Sequence, residues 1–224
     1  MYWIIFIGIA LASWLVQSNL KNKFEKYSKM PLNSGMPGRD VAEKMLRDNG
    51  IYDVKVMSTR GSLADHYNPT DKTVNLSEDV YSSCSVAAAA VAAHECGHAV
   101  QHAHAYGPLT LRSALVPVVS FASNWVSWIL LIGMLAIETF PQILLFGIGL
   151  FALTTIFSFV TLPVEIDASR RAVNWMTDSG IVNYNNRGAA VSALRSAAYT
   201  YVVAALGSLA TLMYYVMIYM GRRD

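Results

Sequence analysis

Four long stretches without a charged residue constrain this chain more than any other feature of its sequence. They span 1–20, 113–137, 139–164 and 196–221, and hold 20, 25, 26 and 26 residues. A helix of about 20 apolar residues is long enough to cross the hydrocarbon core of a bilayer. A soluble domain of this size has too little surrounding protein to bury four such helices. We therefore predict four transmembrane helices.

The overall composition excludes several classes of protein. Charged residues make up 14% of the 224-residue chain and hydrophobic residues 54%, whereas a soluble domain has about 25% charged residues. A soluble globule and a disordered chain are both disfavoured. The net charge is only +2, so we expect no nucleic-acid partner. Cys84 and Cys96 form neither a disulfide framework nor a C-x-x-C motif.

The positions of the basic residues predict an orientation in the membrane. Four lysines between positions 21 and 29 follow the first apolar stretch, which is typical of a retained anchor and not of a cleaved signal peptide. Positive residues near the ends of spans stay in the cytoplasm, so the N terminus is predicted outside and segment 165–195 inside. Arg222 and Arg223 conflict with this scheme, because four spans place them outside.

The pattern of apolar and polar stretches divides the chain into segments. They are a transmembrane anchor (1–20), a soluble α/β lobe (21–112), a transmembrane hairpin (113–164), a cytoplasmic helical segment (165–195) and a last transmembrane helix (196–221). In the lobe, apolar spacing predicts a helix over 39–49 and a strand over 53–57. A turn at 68–71 predicts a β-hairpin. Ser77 or Ser85 is expected to cap the alanine-rich helix that ends the lobe.

That alanine-rich helix carries the sequence His94-Glu95-Cys96-Gly97-His98, which is the H-E-x-x-H pattern. Residues four positions apart lie one above the other on a helix, so both imidazoles can bind one Zn²⁺ ion. Glu95 is predicted to act as a general base that removes a proton from the attacking water. Cys96 occupies a free position of the motif, and we interpret it as a packing residue.

A catalytic zinc site needs a third protein ligand, and the sequence offers more than one candidate. His104 has the spacing of the metzincin pattern, but Gln101 stands where that pattern needs a glycine to turn the chain. Glu165 follows two spans and a short outer turn, so the hairpin returns it to the face that carries the zinc helix. Its charge at the edge of an apolar span needs a partner such as a metal. Asp167 is a weaker candidate, which we expect to contact solvent or an arginine.

These motifs together resemble known membrane proteases. The H-E-x-x-H motif, two spans, and then Glu165 with Ser169 one turn later resemble the gluzincin proteases of the HtpX and CaaX prenyl protease type. Asp65-His66-Tyr67 and segment 162–172 are similar to the YugP-type neutral zinc metallopeptidases of bacterial membranes, and the similarity covers nearly the whole chain. The resemblance implies an integral-membrane zinc endopeptidase.

The resemblance also implies roles for particular residues. It assigns one Zn²⁺ per chain to His94, His98 and Glu165, with Glu95 as the catalytic base. Ser169 stands where the HtpX pattern has an aspartate, and a serine can give a zinc-bound histidine only a weaker hydrogen bond.

The sequence indicates the residues that contact the substrate less clearly than it indicates the metal ligands. A strand at the edge of a sheet can pair with an extended peptide, and His66 and Tyr67 lie in a segment that could do so. Several side chains remain candidates for stabilising the oxyanion, namely His66, Tyr67, Tyr184 and Arg187.

The fold class is thus predicted as mainly α: an integral membrane protein with four transmembrane helices and a small α/β zincin-like lobe. We expect it in the cell membrane, with a polypeptide substrate that is membrane-associated or unfolded and with its active site in the cytoplasm.

The alternative is a zinc-binding scaffold or pseudoprotease without hydrolytic activity. A transporter is disfavoured because no ionisable residue lies deep within the spans. A purely structural membrane adaptor is disfavoured because it would not need the H-E-x-x-H motif. The sequence leaves the oligomeric state open.

Overall fold

The computed structural model describes residues 2–61 and 63–221 of the chain, and this part is mainly helical with one small sheet. The elements in chain order are α1 (Tyr2–Ser28), α2 (Gly38–Asp48), β1 (Lys55–Thr59), β2 (His66–Asn68), β3 (Thr73–Ser77), α3 (Glu78–Ser82), α4 (Val86–Ala103), α5 (Gly107–Leu135), α6 (Pro141–Asp178) and α7 (Tyr184–Gly221). The predicted mainly α class is confirmed.

Three helices within the described residues are long and apolar enough to cross a membrane, namely α5, α6 and α7. The described part of the chain thus contains three candidate spans, not the four predicted. The first predicted span, 1–20, belongs to α1 (Tyr2–Ser28) and is not among these three. Met1 and the side chains of 2–5, which belong to the predicted anchor, lie outside the described part.

The helices α5 and α6 form a closely packed hairpin. A Cβ atom on Gly133 of α5 would lie 2.6 Å from the Cα atom of Leu144 in α6, so the two backbones touch where a side chain would separate them. Pro117 and Pro163 lie inside these helices without ending them. Because α6 continues past the predicted span end to Asp178, one helix carries both apolar residues and the acidic residues that follow them.

The N-terminal helix α1 packs along α7. The rings of Phe6 and Tyr214 meet edge to face with centroids 5.0 Å apart, a favourable geometry for aromatic pairs. A Cβ on Gly207 would lie 3.0 Å from Ile9, which shows how near the helices come at that point. The anchor helix is thus attached to a candidate span.

The lobe contains a three-stranded sheet with the order β1-β3-β2. The strands β2 and β3 pair antiparallel around the turn at 68–71, as predicted, whereas β1 pairs parallel to β3. The strand β1 begins two residues later than the sequence pattern predicted. Because β2 pairs only with β3 among the described residues, its other side is an open sheet edge.

The helix α4 lies at the centre of the molecule and contacts both the lobe and the candidate spans. Its N terminus is capped by Ser85, whose Oγ accepts a hydrogen bond from the backbone N–H of Ala88 at 3.2 Å. Ser77, the other cap candidate, precedes α3 instead and makes no side-chain cap hydrogen bond. Small alanine side chains let α4 be buried on several sides while the predicted helix α2 packs against it.

Candidate metal centre

The two histidines of the H-E-x-x-H motif lie on one face of α4. His94 and His98 are one helical turn apart, and their ring centroids are 4.8 Å from each other. His98 is buried with 8% of its surface exposed, and the side chain of His94 is 14% exposed. The geometry is that expected for two imidazoles that share one ligand.

The close approach of α4 and α6 brings a carboxylate to these histidines. A Cβ on Gly97 would lie 2.7 Å from the carbonyl oxygen of Ala168 in α6, so only glycine allows this contact. One turn before Ala168, Glu165 Oε2 lies 3.3 Å from His94 Nε2 and 3.7 Å from His98 Nε2. The three potential ligand atoms are within 4.8 Å of one another.

The chemistry of this donor set fits a zinc ion. Two imidazole nitrogens and one carboxylate oxygen form the His₂Glu set of catalytic zinc sites, which keep a fourth position open for water. Glu165 is only 3% exposed, and a buried carboxylate is costly unless a positive charge accompanies it. The site therefore suits a cation both in its ligand types and in its charge.

The pKa of His98 also indicates that the site attracts positive charge. Burial lowers the pKa of His98, but hydrogen bonding to Glu165 and the charges of Glu95 and Glu165 outweigh this effect and raise the pKa above its ordinary value. A proton on this imidazole takes the place that a metal ion would otherwise occupy. Since metal binding needs the neutral imidazole, protons and metal compete for the site.

A second set of hydrogen bonds orients the two histidines. Gln101 is completely buried and donates from Nε2 to the Val164 carbonyl at 2.8 Å and to Asp167 Oδ2 at 2.9 Å. Both amide hydrogens are thereby used, so its Oε1 accepts from His98 Nδ1 at 3.1 Å. The Nδ1 of His98 then carries a hydrogen, so that Nε2, on the side of Glu165, is the nitrogen that would bind a metal ion once it has lost its proton.

His94 has a matching partner in α6. Ser169 Oγ lies 3.1 Å from His94 Nδ1, which is the weaker contact that the sequence led us to expect. Asp167 lies 2.7 Å from Arg170 and 2.6 Å from Arg171. This pairing with arginine matches the sequence expectation for Asp167, whose side chain instead supports Gln101.

The predicted base lies beside the histidines and contacts the sheet edge. Glu95 is 9% exposed, and its Oε2 accepts a hydrogen bond from the backbone N–H of Tyr67 in β2 at 3.0 Å. The Tyr67 hydroxyl in turn lies 2.8 Å from His102 Nδ1. The strand β2 thus holds the carboxylate of Glu95 beside the histidines.

An open cleft of about 780 Å³ contains the site. The lining includes His66, His94, Glu95, His98, His102, Arg112, Glu165 and Tyr201. It is bounded by β2 on one side and by the first turns of α5 on the other. All three potential ligands and Glu95 therefore face one space that a substrate can enter.

Some residues singled out in the sequence lie elsewhere. His104 ends α4, and its Nδ1 contacts the carbonyl of Val100 at 2.9 Å, outside the ligand group. Tyr184 is 97% exposed, and Arg187 Nε donates to Thr177 Oγ1 at 3.3 Å. Neither residue lines the cleft, so neither can stabilise an oxyanion there.

Arg112 and Tyr201 line the cleft and were not singled out in the sequence. Arg112 comes from the second turn of α5 and Tyr201 from α7. Arg112 is a charged residue at the edge of an apolar stretch, which is the same signal that singled out Glu165. No sequence signal distinguishes Tyr201 from the other tyrosines of α7.

The fold and site define a helical protein with candidate membrane spans and a His₂Glu metal centre next to a glutamate. A family model described as "Putative neutral zinc metallopeptidase" matches residues 2–220, and the chain belongs to this family. It is 44% identical to the "Putative membrane protease YugP" of Bacillus subtilis over 225 residues, which cover 98% of each chain. No solved structure matches the chain.

The contact between Gln101 and His98 gives a testable prediction. Gln101→Leu removes the acceptor for His98 Nδ1 and both donors to α6, so we expect zinc affinity to fall about 10- to 100-fold. The measurement is competition with a chelator in detergent. Gln142→Leu changes an exposed glutamine at the other end of α6 and is expected to bind zinc as the wild type does. Equal affinity of both variants would contradict the role of Gln101.

Proposed function

We propose that this chain is a membrane-embedded zinc metalloendopeptidase. The observation that carries the proposal is the convergence of His94, His98 and Glu165, with Glu95 lining the same cleft. Membership in a family described as a zinc metallopeptidase supports the same reaction class. In this proposal the lobe plays the part of a zincin-like domain, in which the sheet edge lies beside the active-site helix.

The residues of the cleft suit peptide hydrolysis. Zinc held by His94, His98 and Glu165 would supply the Lewis acidity that activates water and polarises the substrate carbonyl. Glu95 takes a proton from the attacking water, whose oxygen forms the new bond to the carbonyl carbon. When the carbon–nitrogen bond breaks, Glu95 passes this proton to the nitrogen of the leaving amine. The Tyr67 N–H holds one oxygen of Glu95 in place for both transfers.

The open edge of β2 supports a polypeptide as substrate. An extended chain can add to such an edge through backbone hydrogen bonds, which do not depend on its sequence. His66 and Tyr67 lie on this edge and line the cleft. Because a segment must be extended to pair with this edge, we propose that the substrates are unfolded or membrane-associated polypeptides.

The location of the cleft supports activity at the cytoplasmic surface of the cell membrane. The cleft contains Arg112 from the start of α5 and Glu165 from the second half of α6, so it lies at the end of the hairpin opposite the turn at 136–140. The lobe, which contains the four lysines between positions 21 and 29, leads directly into α5 in the sequence. It is therefore joined to this same end of the hairpin. Positive residues favour the cytoplasmic side.

Two substitutions separate metal binding from catalysis. Glu95→Gln leaves the metal ligands in place but removes the base, so we expect unchanged zinc content and a rate of casein cleavage lower by about 10²- to 10⁴-fold. Glu165→Ala removes a ligand, so zinc and cleavage are both expected to be lost. Zinc per chain and cleavage rate are measured on the same detergent-purified samples.

The matched control is Glu43→Gln, which changes a glutamate of α2 whose side chain is 41% exposed and is expected to match the wild type in both measurements. Full activity of Glu95→Gln would refute the proposed base. A wild type that binds zinc but cleaves no unfolded protein would favour a zinc-binding scaffold or pseudoprotease.

The proposed orientation can be tested with a native cysteine. Cys84 is exposed in the lobe, whereas Cys96 is buried, and burial together with Glu95 raises the pKa of the Cys96 thiol. A low thiolate fraction and burial make Cys96 unreactive. We therefore expect a membrane-impermeant maleimide to label Cys84 in inside-out vesicles and not in intact cells. Labelling of intact cells that is lost in Cys84→Ser would place the lobe outside.

A further inference from the structure

Arg112 stands next to the metal centre without belonging to its ligand set. It lies in the second turn of α5 and lines the cleft together with His94 and His98. Its Nη1 atom is 3.8 Å from Glu165 Oε1. The other oxygen of this carboxylate, Oε2, is the one that faces the two histidines. One carboxylate thus separates the guanidinium from the metal position.

The guanidinium has donor capacity that the protein does not use. Among the described residues, the Nε of Arg112 is the buried side-chain polar atom that has no hydrogen-bond partner. A buried donor without an acceptor costs free energy, so its retention needs a reason. The side chain is still 32% exposed, which keeps part of the guanidinium open to the cleft. Arginine stays charged at all relevant pH values.

The positive charge of Arg112 is not fully balanced by the negative charges of the site. A metal ion held by Glu165 would share the negative charge of this carboxylate and leave less of it to compensate Arg112. The cleft then has a surplus of positive charge around the point where a substrate carbonyl must lie. Such a place favours a group on which negative charge develops during the reaction.

We propose that Arg112 binds the carbonyl oxygen of the scissile peptide bond and stabilises the negative charge that forms on it. This inference rests on the proposed peptidase function. As the water oxygen bonds to the carbonyl carbon, the π electron pair moves onto the carbonyl oxygen, which accepts hydrogen bonds from Arg112. The pair returns when the carbon–nitrogen bond breaks. Arg112 transfers no proton in this step.

The other candidates around the cleft are less suited to this role. His66 has contacts at both ring nitrogens, to the Ala64 carbonyl at 2.8 Å and to Asn75 Nδ2 at 3.3 Å. The Tyr67 hydroxyl is engaged with His102. Tyr201 lines the cleft near Glu165 and offers a neutral donor, and it serves as the competing candidate in the test.

The test compares turnover with binding of a tetrahedral analogue. Arg112→Ala, Arg112→Lys and Tyr201→Phe are assayed for zinc content, for kcat and KM on an unfolded reporter, and for affinity toward an N-blocked phosphinic dipeptide. The phosphinate resembles the tetrahedral oxyanion, so its binding reports on Arg112 even without turnover. Arg195→Ala changes an exposed arginine of α7 outside the cleft and is the matched control.

The proposal predicts that Arg112→Ala keeps its zinc and loses about 10²- to 10³-fold in kcat, with KM changed little. Phosphinate affinity falls by a comparable factor. Arg112→Lys recovers part of both losses, because it keeps the charge but not the fork of donors. Added guanidinium partly rescues Arg112→Ala but not Glu95→Gln.

Other results would overturn the proposal. Loss of zinc in both Arg112 variants would show that the residue only holds Glu165. A raised KM with unchanged kcat and phosphinate affinity would make it a ground-state binding residue. Loss of phosphinate affinity in Tyr201→Phe alone would assign the role to Tyr201. If the zinc-loaded wild type cleaves nothing, the proposed function fails and the role of Arg112 fails with it. If the wild type cleaves but Arg112→Ala binds the phosphinate as tightly, only the role of Arg112 is overturned.

Discussion

The backbone contact between α4 and α6 is the constraint on which the site depends. Gly97 lets Ala168 approach so closely that a methyl group would be in collision. This contact turns the two histidines of one helix toward the carboxylate of another, although Glu165 lies 67 positions after His98 in the sequence. Gln101 reinforces it, because the amide joins α4 to α6 and orients His98 at the same time. A single packing arrangement thus determines ligand distance, tautomer and burial together.

The burial of charge explains why so many polar residues gather at this end of the hairpin. A carboxylate such as Glu165 within an apolar helix is tolerated only with positive partners. His98, whose pKa is raised by Glu165, and Arg112 supply them in the absence of metal. Asp167, the second buried acid of α6, is paired with two arginines instead. The two acids therefore have different functions, one facing the site and the other supporting it.

Local patterns in the sequence were enough to predict the metal ligands, but not the contacts between distant segments that support them. The spacing of His94 and His98 follows from helix geometry, and the hairpin topology returned Glu165 to their side. The roles of Gln101 and Arg112 depend on contacts between distant segments, which no periodicity records. In the sequence, Gln101 was noted only because it stands where the metzincin pattern needs a glycine. In the structure it is buried and its hydrogen bonds link α4 to α6. The first predicted span includes Met1 and the side chains of 2–5, which lie outside the described residues, and its helix α1 continues to Ser28.

The nature of the metal centre is the central claim, and X-ray absorption at the zinc edge tests it most directly. The zinc-loaded chain in detergent should show a first shell of nitrogen and oxygen at about 2.0–2.2 Å, with the multiple scattering of two imidazoles and no sulfur. A sulfur shell near ~2.3 Å would implicate Cys84 or Cys96. A shell of oxygen alone would show that the histidines do not bind. Either result would contradict a His94, His98 and Glu165 site.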